Sequence, residues 1–187
     1  NPGNMIWIWG QGTNPNMPSF KGVFGIDGAI ISAVDLVNGI GRLVELERIA
    51  VPGANGYYDT NYEGKGNYAV KALETKDFIF VHVEAPDEAG HNGDMRAKIT
   101  AIENFDKFVV GAVWRYLKEM KECRIMVLSD HATPVSIRTH VPDPAPFVMA
   151  GKGVEHNGFA AFSEKNAKES KLKFKSGSSL TEAFIKG

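Results

Sequence analysis

An α/β fold with a mostly parallel central sheet flanked by helices is what the sequence predicts, on three observations. Residues 77–84 (DFIFVHVE) form an almost unbroken run of apolar, β-branched and aromatic residues, the pattern of a strand buried on both faces. Ile99, Ile102, Phe105, Val109, Val113, Tyr116, Leu117 and Met120 then recur mostly at steps of three and four, which places a long amphipathic helix over 97–121. A second apolar run, 124–128 (RIMVL), follows directly. Strand, helix and strand in that order favour parallel strands joined by a right-handed crossover.

The remaining elements follow along the chain. Residues 5–9 (MIWIW), between Pro2-Gly3 and Gly10-Gln11-Gly12, read as a strand feeding a Gly-rich loop that runs to Pro18. In that strand Trp7 and Trp9 serve packing. Residues 29–34 (AIISAV) predict a buried strand, 34–40 a short helix broken by Gly39 and Gly41, and 46–51 (LERIAV) a short strand ahead of Pro52-Gly53. The polar, Gly-rich stretch 57–67 (YYDTNYEGKGN) predicts a loop leading into a helix over 68–74. Residues 147–150 (FVMA), after Pro142, Pro144 and Pro146, predict another short strand, and the Lys/Ser-rich tail from 163 ends in a helix over 179–186. There is no repeat, low-complexity tract or convincing linker, so residues 1–187 read as one domain. A chain of this length buries roughly 70% of its unfolded surface.

A net charge of -1 leaves no basic stripe for nucleic acid and no polybasic membrane anchor. Neither partner is expected. An anionic substrate would need a local field, such as that of bound metal ions. The lone Cys123 cannot form an internal disulfide and sits in no reactive motif, which fits a reducing cytoplasmic setting. No apolar run reaches the roughly 18 residues of a transmembrane span. The start, Asn1-Pro2-Gly3-Asn4, has neither an initiator Met nor a signal-peptide profile and reads as a mature or truncated product.

Function concentrates in three clusters, 87–91 (DEAGH), 130–131 (DH) and 139–144 (THVPDP), and four of the five histidines lie between positions 82 and 140. Carboxylates and neutral imidazoles together suit Zn²⁺ or Mn²⁺. In an open parallel sheet ligands bind beyond the carboxyl ends of strands, where Asp87/His91 and Asp130/His131 both fall. A Gly-containing turn after 77–84 would aim Asp87 and His91 at one ion. Each cluster alone also has a structural reading: a surface Asp-x-x-x-His pair, an Asp130 helix cap, or a His140 loop histidine. It is their conjunction that points to a two-metal phosphoryl-transfer site. His82 reads as strand core and His156 as solvent-exposed. Lys65 and Arg138 are candidate cationic contacts for phosphate or carboxylate, and Asn92 and Asp94 candidate hydrogen-bonding supports for the ligands.

Residues 84–91 (EAPDEAGH), 129–134 (SDHATP) and 139–147 (THVPDPAPF) resemble the cofactor-independent phosphoglycerate mutases of the archaeal type, within the alkaline phosphatase superfamily. Residues 1–12, 33–36 (AVDL), 51–54 (VPGA) and 59–65 (DTNYEGK) look like the same branch, so the resemblance covers essentially the whole chain. It implies an alkaline phosphatase-like fold, two divalent ions (Mn, Mg or Zn) and no bisphosphoglycerate. By position, Asp87, His91 and His140 would hold one ion, and Asp130 and His131 part of the second. The family completes the second site with an upstream Asp and a nucleophilic Ser for which this chain has no equivalent segment. Neither Ser129 nor Ser136 stands where the nucleophile does, so no catalytic residue is assigned. The resemblance therefore implies the C-terminal part of a longer cytoplasmic enzyme. Its substrate would be phosphoglycerate, with the 2- and 3-isomers interconverted through phosphoserine in glycolysis and gluconeogenesis. The fragment alone is expected to have little turnover. An open sheet edge would favour association, with a second copy or with the missing N-terminal portion. A phosphatase or phosphodiesterase would share these ligands, and a non-catalytic metal-binding domain is the third reading.

Overall fold

In the computed structural model, residues 12–13 and 15–187 are described, and the expected 5–9 strand with Trp7 and Trp9 lies outside them. A short helix, α1 (Phe20–Phe24), capped by the Ser19 hydroxyl, leads into the first strand. Three strands, β1 (Gly28–Ile31), β2 (Glu47–Arg48) and β3 (Phe78–Val81), make a parallel sheet in the order β2-β1-β3. The central strand is the most buried, with Ala29, Ile30 and Ile31 all in the core. Crossover helices α2 (Asp35–Leu43) and α3 (Tyr62–Ala72) join consecutive strands. This parallel sheet flanked by helices is the predicted α/β class.

The later strands depart from the expected layout. Strand β4 (Arg124–Leu128) pairs antiparallel with β5 (Phe147–Gly151), Met126 facing Met149, in a separate two-stranded sheet. The 129–146 connection carries no helix of the kind that usually serves a parallel crossover, and β5 returns antiparallel beside β4. Among the described residues the outer edge of β3 pairs with no strand.

The helices differ from the sequence reading in several places, and in α2 and α3 a glycine read as a breaker serves packing instead. Helix α2 continues through Gly39 and Gly41 to Leu43, and a side chain at Gly41 would stand 2.8 Å from Ile30 Cγ2 on the sheet. Helix α3 starts at Tyr62, six residues earlier than expected, because the Asn61 side chain accepts the Gly64 N–H at 2.8 Å. Its Gly66 packs so closely that a side chain there would collide with the Phe108 carbonyl oxygen. That carbonyl belongs to a π-helical stretch, Phe105–Val110, inserted between α5 (Met95–Asn104) and α6 (Gly111–Leu117). The three together are the long amphipathic helix of the sequence, and the π turn redirects its apolar stripe midway. The strand expected over 77–84 ends at Val81, and α4 (Ala85–Asn92) begins almost at once. The strand expected over 46–51 is reduced to β2.

Two clusters fill the core: Ile31, Val51, Ala69, Val113 and Leu117 behind the sheet, and Tyr62, Ala85, Ala101 and Val109 beneath α4. Cys123 is half-buried at the entrance to β4, its thiol directed at the Leu117 carbonyl, 3.1 Å away. Helices α7 (Glu164–Glu169) and α8 (Gly177–Lys186) close the chain, α7 without a sequence expectation. Among the described residues no helix is long and apolar enough to cross a membrane.

Gly66→Ala is expected to destabilise the fold by about 1–3 kcal/mol, the cost of overpacking against an immovable backbone. Gly39→Ala, with open space around it, should instead stabilise by about 0.5–1 kcal/mol. Denaturant midpoints at constant m-value read both.

Candidate metal centre

The carboxyl end of β3 feeds α4 through three residues, and Pro86 in the first turn of that helix fixes its start. Asp87 and His91 lie four residues apart on one helical face, not on the turn the sequence suggested. The loop after β4 brings the other donors. A bridge between Ala132 and Val141, with the Val141 N–H donating to the Ala132 carbonyl at 3.0 Å, closes this loop so that His131 and His140 stand side by side. Their ring centroids are 3.8 Å apart.

Three of the five expected ligands, Asp87, His91 and His140, converge here, with His131 and Asp130 beside them. His91 Nε2 lies 3.3 Å from Asp87 Oδ2, and His140 Nε2 lies 3.4 Å from Asp87 Oδ1. The two Nε2 atoms are only 3.1 Å apart, and one donor atom from each of Asp87, His91 and His140 lies within 4.8 Å of the others. His131 adjoins them, with Nδ1 3.9 Å from Asp87 Oδ1 and Nε2 3.3 Å from Asp130 Oδ2. Asp130 is the most exposed member and accepts the His131 backbone N–H at 2.9 Å.

The protons on His91 can be placed. Its Nδ1 is 3.1 Å from the Arg138 carbonyl oxygen, which can only accept, so Nδ1 carries a hydrogen and, in the neutral ring, Nε2 is the lone-pair atom. Second ring nitrogens tied to a carbonyl are the usual support of metal-binding imidazoles. A lone pair of His91 and a carboxylate of Asp87 facing a third donor make a set that a divalent cation fits. Arg138 takes a left-handed backbone, φ 60°, to aim its carbonyl this way. Its guanidinium lies over Gly93 at the C-terminus of α4, where a side chain would stand 2.7 Å from Cζ. Thus the Arg138 backbone, not its guanidinium, touches a ligand.

The other predicted residues are placed differently. Lys65 is fully buried on α3 and donates to the His82 carbonyl at 3.0 Å, away from the donor set. Burial pulls its pKa down to about 8, with neighbouring Glu84 acting the other way. His82 sits just past β3 between Ser32 Oγ (3.3 Å) and Glu84 Oε2 (3.4 Å), and burial lowers its pKa. Burial, then Asp87 and Asp130, raise that of Glu84. Asn92 donates to Tyr58 Oη and the Glu88 carbonyl, and Asp94 caps α5, so neither contacts a ligand. His156 is exposed. The sequence reading missed Thr133, whose buried hydroxyl donates to Asp87, and Lys98, which donates to the Thr133 carbonyl at 2.7 Å. A Thr before Pro134 carries only a turn signal.

Carboxylates and imidazoles converging beyond the carboxyl ends of strands in an α/β fold define a metal-binding enzyme architecture. The chain belongs to the Metalloenzyme superfamily, whose family model matches residues 1–182. It is 54% identical over 171 residues to a 2,3-bisphosphoglycerate-independent phosphoglycerate mutase 2 of Methanothermobacter thermautotrophicus, covering 91% of this chain and 42% of that protein. It is 46% identical to the 2,3-bisphosphoglycerate-independent phosphoglycerate mutase of Methanosarcina acetivorans, covering 100% of this chain and 47% of that one. The chain thus spans less than half the length of these relatives, matching their C-terminal portion. Among solved structures it is similar to PH0037 from Pyrococcus horikoshii, with a TM-score of 0.78, 33% identity, and 84% of this chain and 48% of that one covered. The cofactor-independent phosphoglycerate mutase of Thermoplasma acidophilum superimposes with a TM-score of 0.59 at 26% identity, covering 85% of this chain and 36% of that one. The fold is alkaline phosphatase-like.

Because the Lys65 pKa is about 8 in the folded chain against 10.5 ordinarily, the unfolded state holds the extra proton between those values. Stability should therefore rise with pH across that window, by about 3 kcal/mol in total. Lys65→Met is expected to be the more stable protein at pH 7 and to lose this rise, compared by denaturant melts at pH 7 and pH 10. Parallel wild-type and variant curves would refute the assignment.

Proposed function

We propose that this chain is the metal-binding C-terminal part of a 2,3-bisphosphoglycerate-independent phosphoglycerate mutase. Asp87, His91 and His140 hold one divalent ion, manganese, magnesium or zinc, and Asp130 and His131 contribute to a second. The observation that carries the reading is the convergence of His91 Nε2, His140 Nε2 and the Asp87 carboxylate, with the His91 lone pair fixed by the Arg138 carbonyl. The relatives' activity supports the choice of reaction.

A divalent ion bound here supplies charge stabilisation to a phosphoryl group in transfer. The chain's own residues orient and shield. Asp87 and His91 are rigid relative to each other because one helix carries both, and the Ala132–Val141 bridge sets His131 and His140 against them. The Arg138 guanidinium, beside α4 at the rim, is the cation available to a substrate phosphate or carboxylate, whereas Lys65 is enclosed below. The nucleophilic serine and the remaining second-site ligand belong to the part of the longer relatives that this chain does not span. In that whole enzyme, 2- and 3-phosphoglycerate interconvert through phosphoserine, in the cytoplasm, as a step of glycolysis and gluconeogenesis.

The test is an assay of the longer gene product with 3-phosphoglycerate and Mn²⁺. It should form 2-phosphoglycerate, lose activity to a chelator and regain it with Mn²⁺. Asp87→Asn should lower the rate by at least about 100-fold, since even outer partners of metal ligands are worth up to that much. Release of free phosphate without isomerisation would make the protein a phosphatase instead.

A further inference from the structure

Thr133 is almost fully enclosed, yet its hydroxyl touches both groups of candidate ligands. Its Oγ1 donates to Asp87 Oδ1 and lies 3.2 Å from His131 Nδ1. A hydroxyl has one hydrogen, and a carboxylate can only accept, so that hydrogen goes to Asp87. The lone pairs of Oγ1 then face His131 Nδ1, which must be the N–H donor. In a neutral ring Nε2 is then the lone-pair atom, and since Asp130 Oδ2, 3.3 Å away, can likewise only accept, this state calls for a cation between the two. The Arg138 carbonyl does the same for His91, through a backbone atom.

Thr133 is itself held from two directions. Its carbonyl accepts from Lys98 Nζ on α5 at 2.7 Å. Gly90 on α4 lies against it so closely that a side chain there would collide with the Thr133 carbonyl and stand 2.9 Å from its methyl. The residue is locked between the helix that carries Asp87 and His91 and the loop that carries Asp130 and His131.

We propose that Thr133 is a positioning residue that couples the two ligand groups: one hydroxyl orients Asp87 and at the same time fixes the tautomer in which His131 presents Nε2. This rests on reading the donors as ligands of divalent cations.

Thr133→Val keeps the shape and removes the hydroxyl, and Thr133→Ser keeps the hydroxyl. Mn²⁺ titration calorimetry of the 187-residue chain should show Thr133→Val binding about 10–100-fold more weakly, the usual loss on removing an outer partner of a metal ligand, with Thr133→Ser restored to near wild type. Long-range ¹H–¹⁵N spectra of the metal-free chain at about pH 8.5, where an ordinary imidazole is neutral, should show a larger Nδ1-protonated share of His131 in wild type and Thr133→Ser than in Thr133→Val, because Asp130 draws the proton toward Nε2 in all three. Unchanged Mn²⁺ affinity in Thr133→Val, failure of Thr133→Ser to restore it, or a His131 tautomer balance that Thr133→Val leaves unchanged would overturn the proposal. If the wild-type chain binds no Mn²⁺, the metal reading falls, and the tautomer spectra still decide whether Thr133 sets His131.

Discussion

The carboxylate of Asp87 is the group on which the rest of the site depends. His91, His131, His140 and Thr133 all face it, from one helix and one loop that are distant in sequence. Acceptor atoms drawn together and partly removed from water are unfavourable neighbours unless donors or a cation compensate them. The fold supplies part of that compensation, a hydroxyl at Thr133 and an ammonium at Lys98 close by. The donors are held by the fold itself: a helical i, i+4 pair, a backbone bridge between Ala132 and Val141, and a carbonyl aimed by the left-handed Arg138.

Beneath this surface the scaffold makes a second electrostatic demand. Lys65 is wholly buried on α3, with the His82 carbonyl as acceptor and Glu84 as the nearby countercharge. Its position is set by the contact of Gly66 with the Phe108 carbonyl in the π-helical stretch, which lets α3 approach that helix backbone to backbone. Glu84 directly precedes α4, so the same carboxylate lies between the buried lysine and the ligand-bearing helix. Packing under the sheet and geometry above it are therefore mechanically connected through three residues, His82, Val83 and Glu84.

Much of the site was legible because its residue types are chemically narrow. Asp and His placed next to Gly or Pro after apolar runs are uncommon, and of the five donors so identified Asp87, His91 and His140 form one group, with His131 and Asp130 adjoining. What the sequence misjudged was the backbone carrying them. Gly90 suggested a turn for Asp87 and His91, but Pro86 in the first turn favours a helix, and Gly90 is small because Thr133 and Lys98 press against it. Gly41 and Gly66 misled in the same way, since close packing and chain breaking leave the same mark in a single sequence. The parallel sheet was readable from apolar runs and intervening helices, whereas the antiparallel return of β5 depended on the absence of a helix in a Pro-rich connection. The Arg138 carbonyl and the Thr133 hydroxyl left no signal, because a backbone atom has no residue type and a cross-chain hydrogen bond has no spacing.

The claim at the centre of this account is that Asp87, His91 and His140 converge because they share a divalent ion. Anomalous diffraction from crystals of the chain grown with Mn²⁺ tests it most directly. An anomalous peak is predicted at coordination distance from His91 Nε2, His140 Nε2 and an Asp87 carboxylate oxygen. A fully formed cluster with no peak there, or with manganese bound only at surface carboxylates elsewhere, would contradict it.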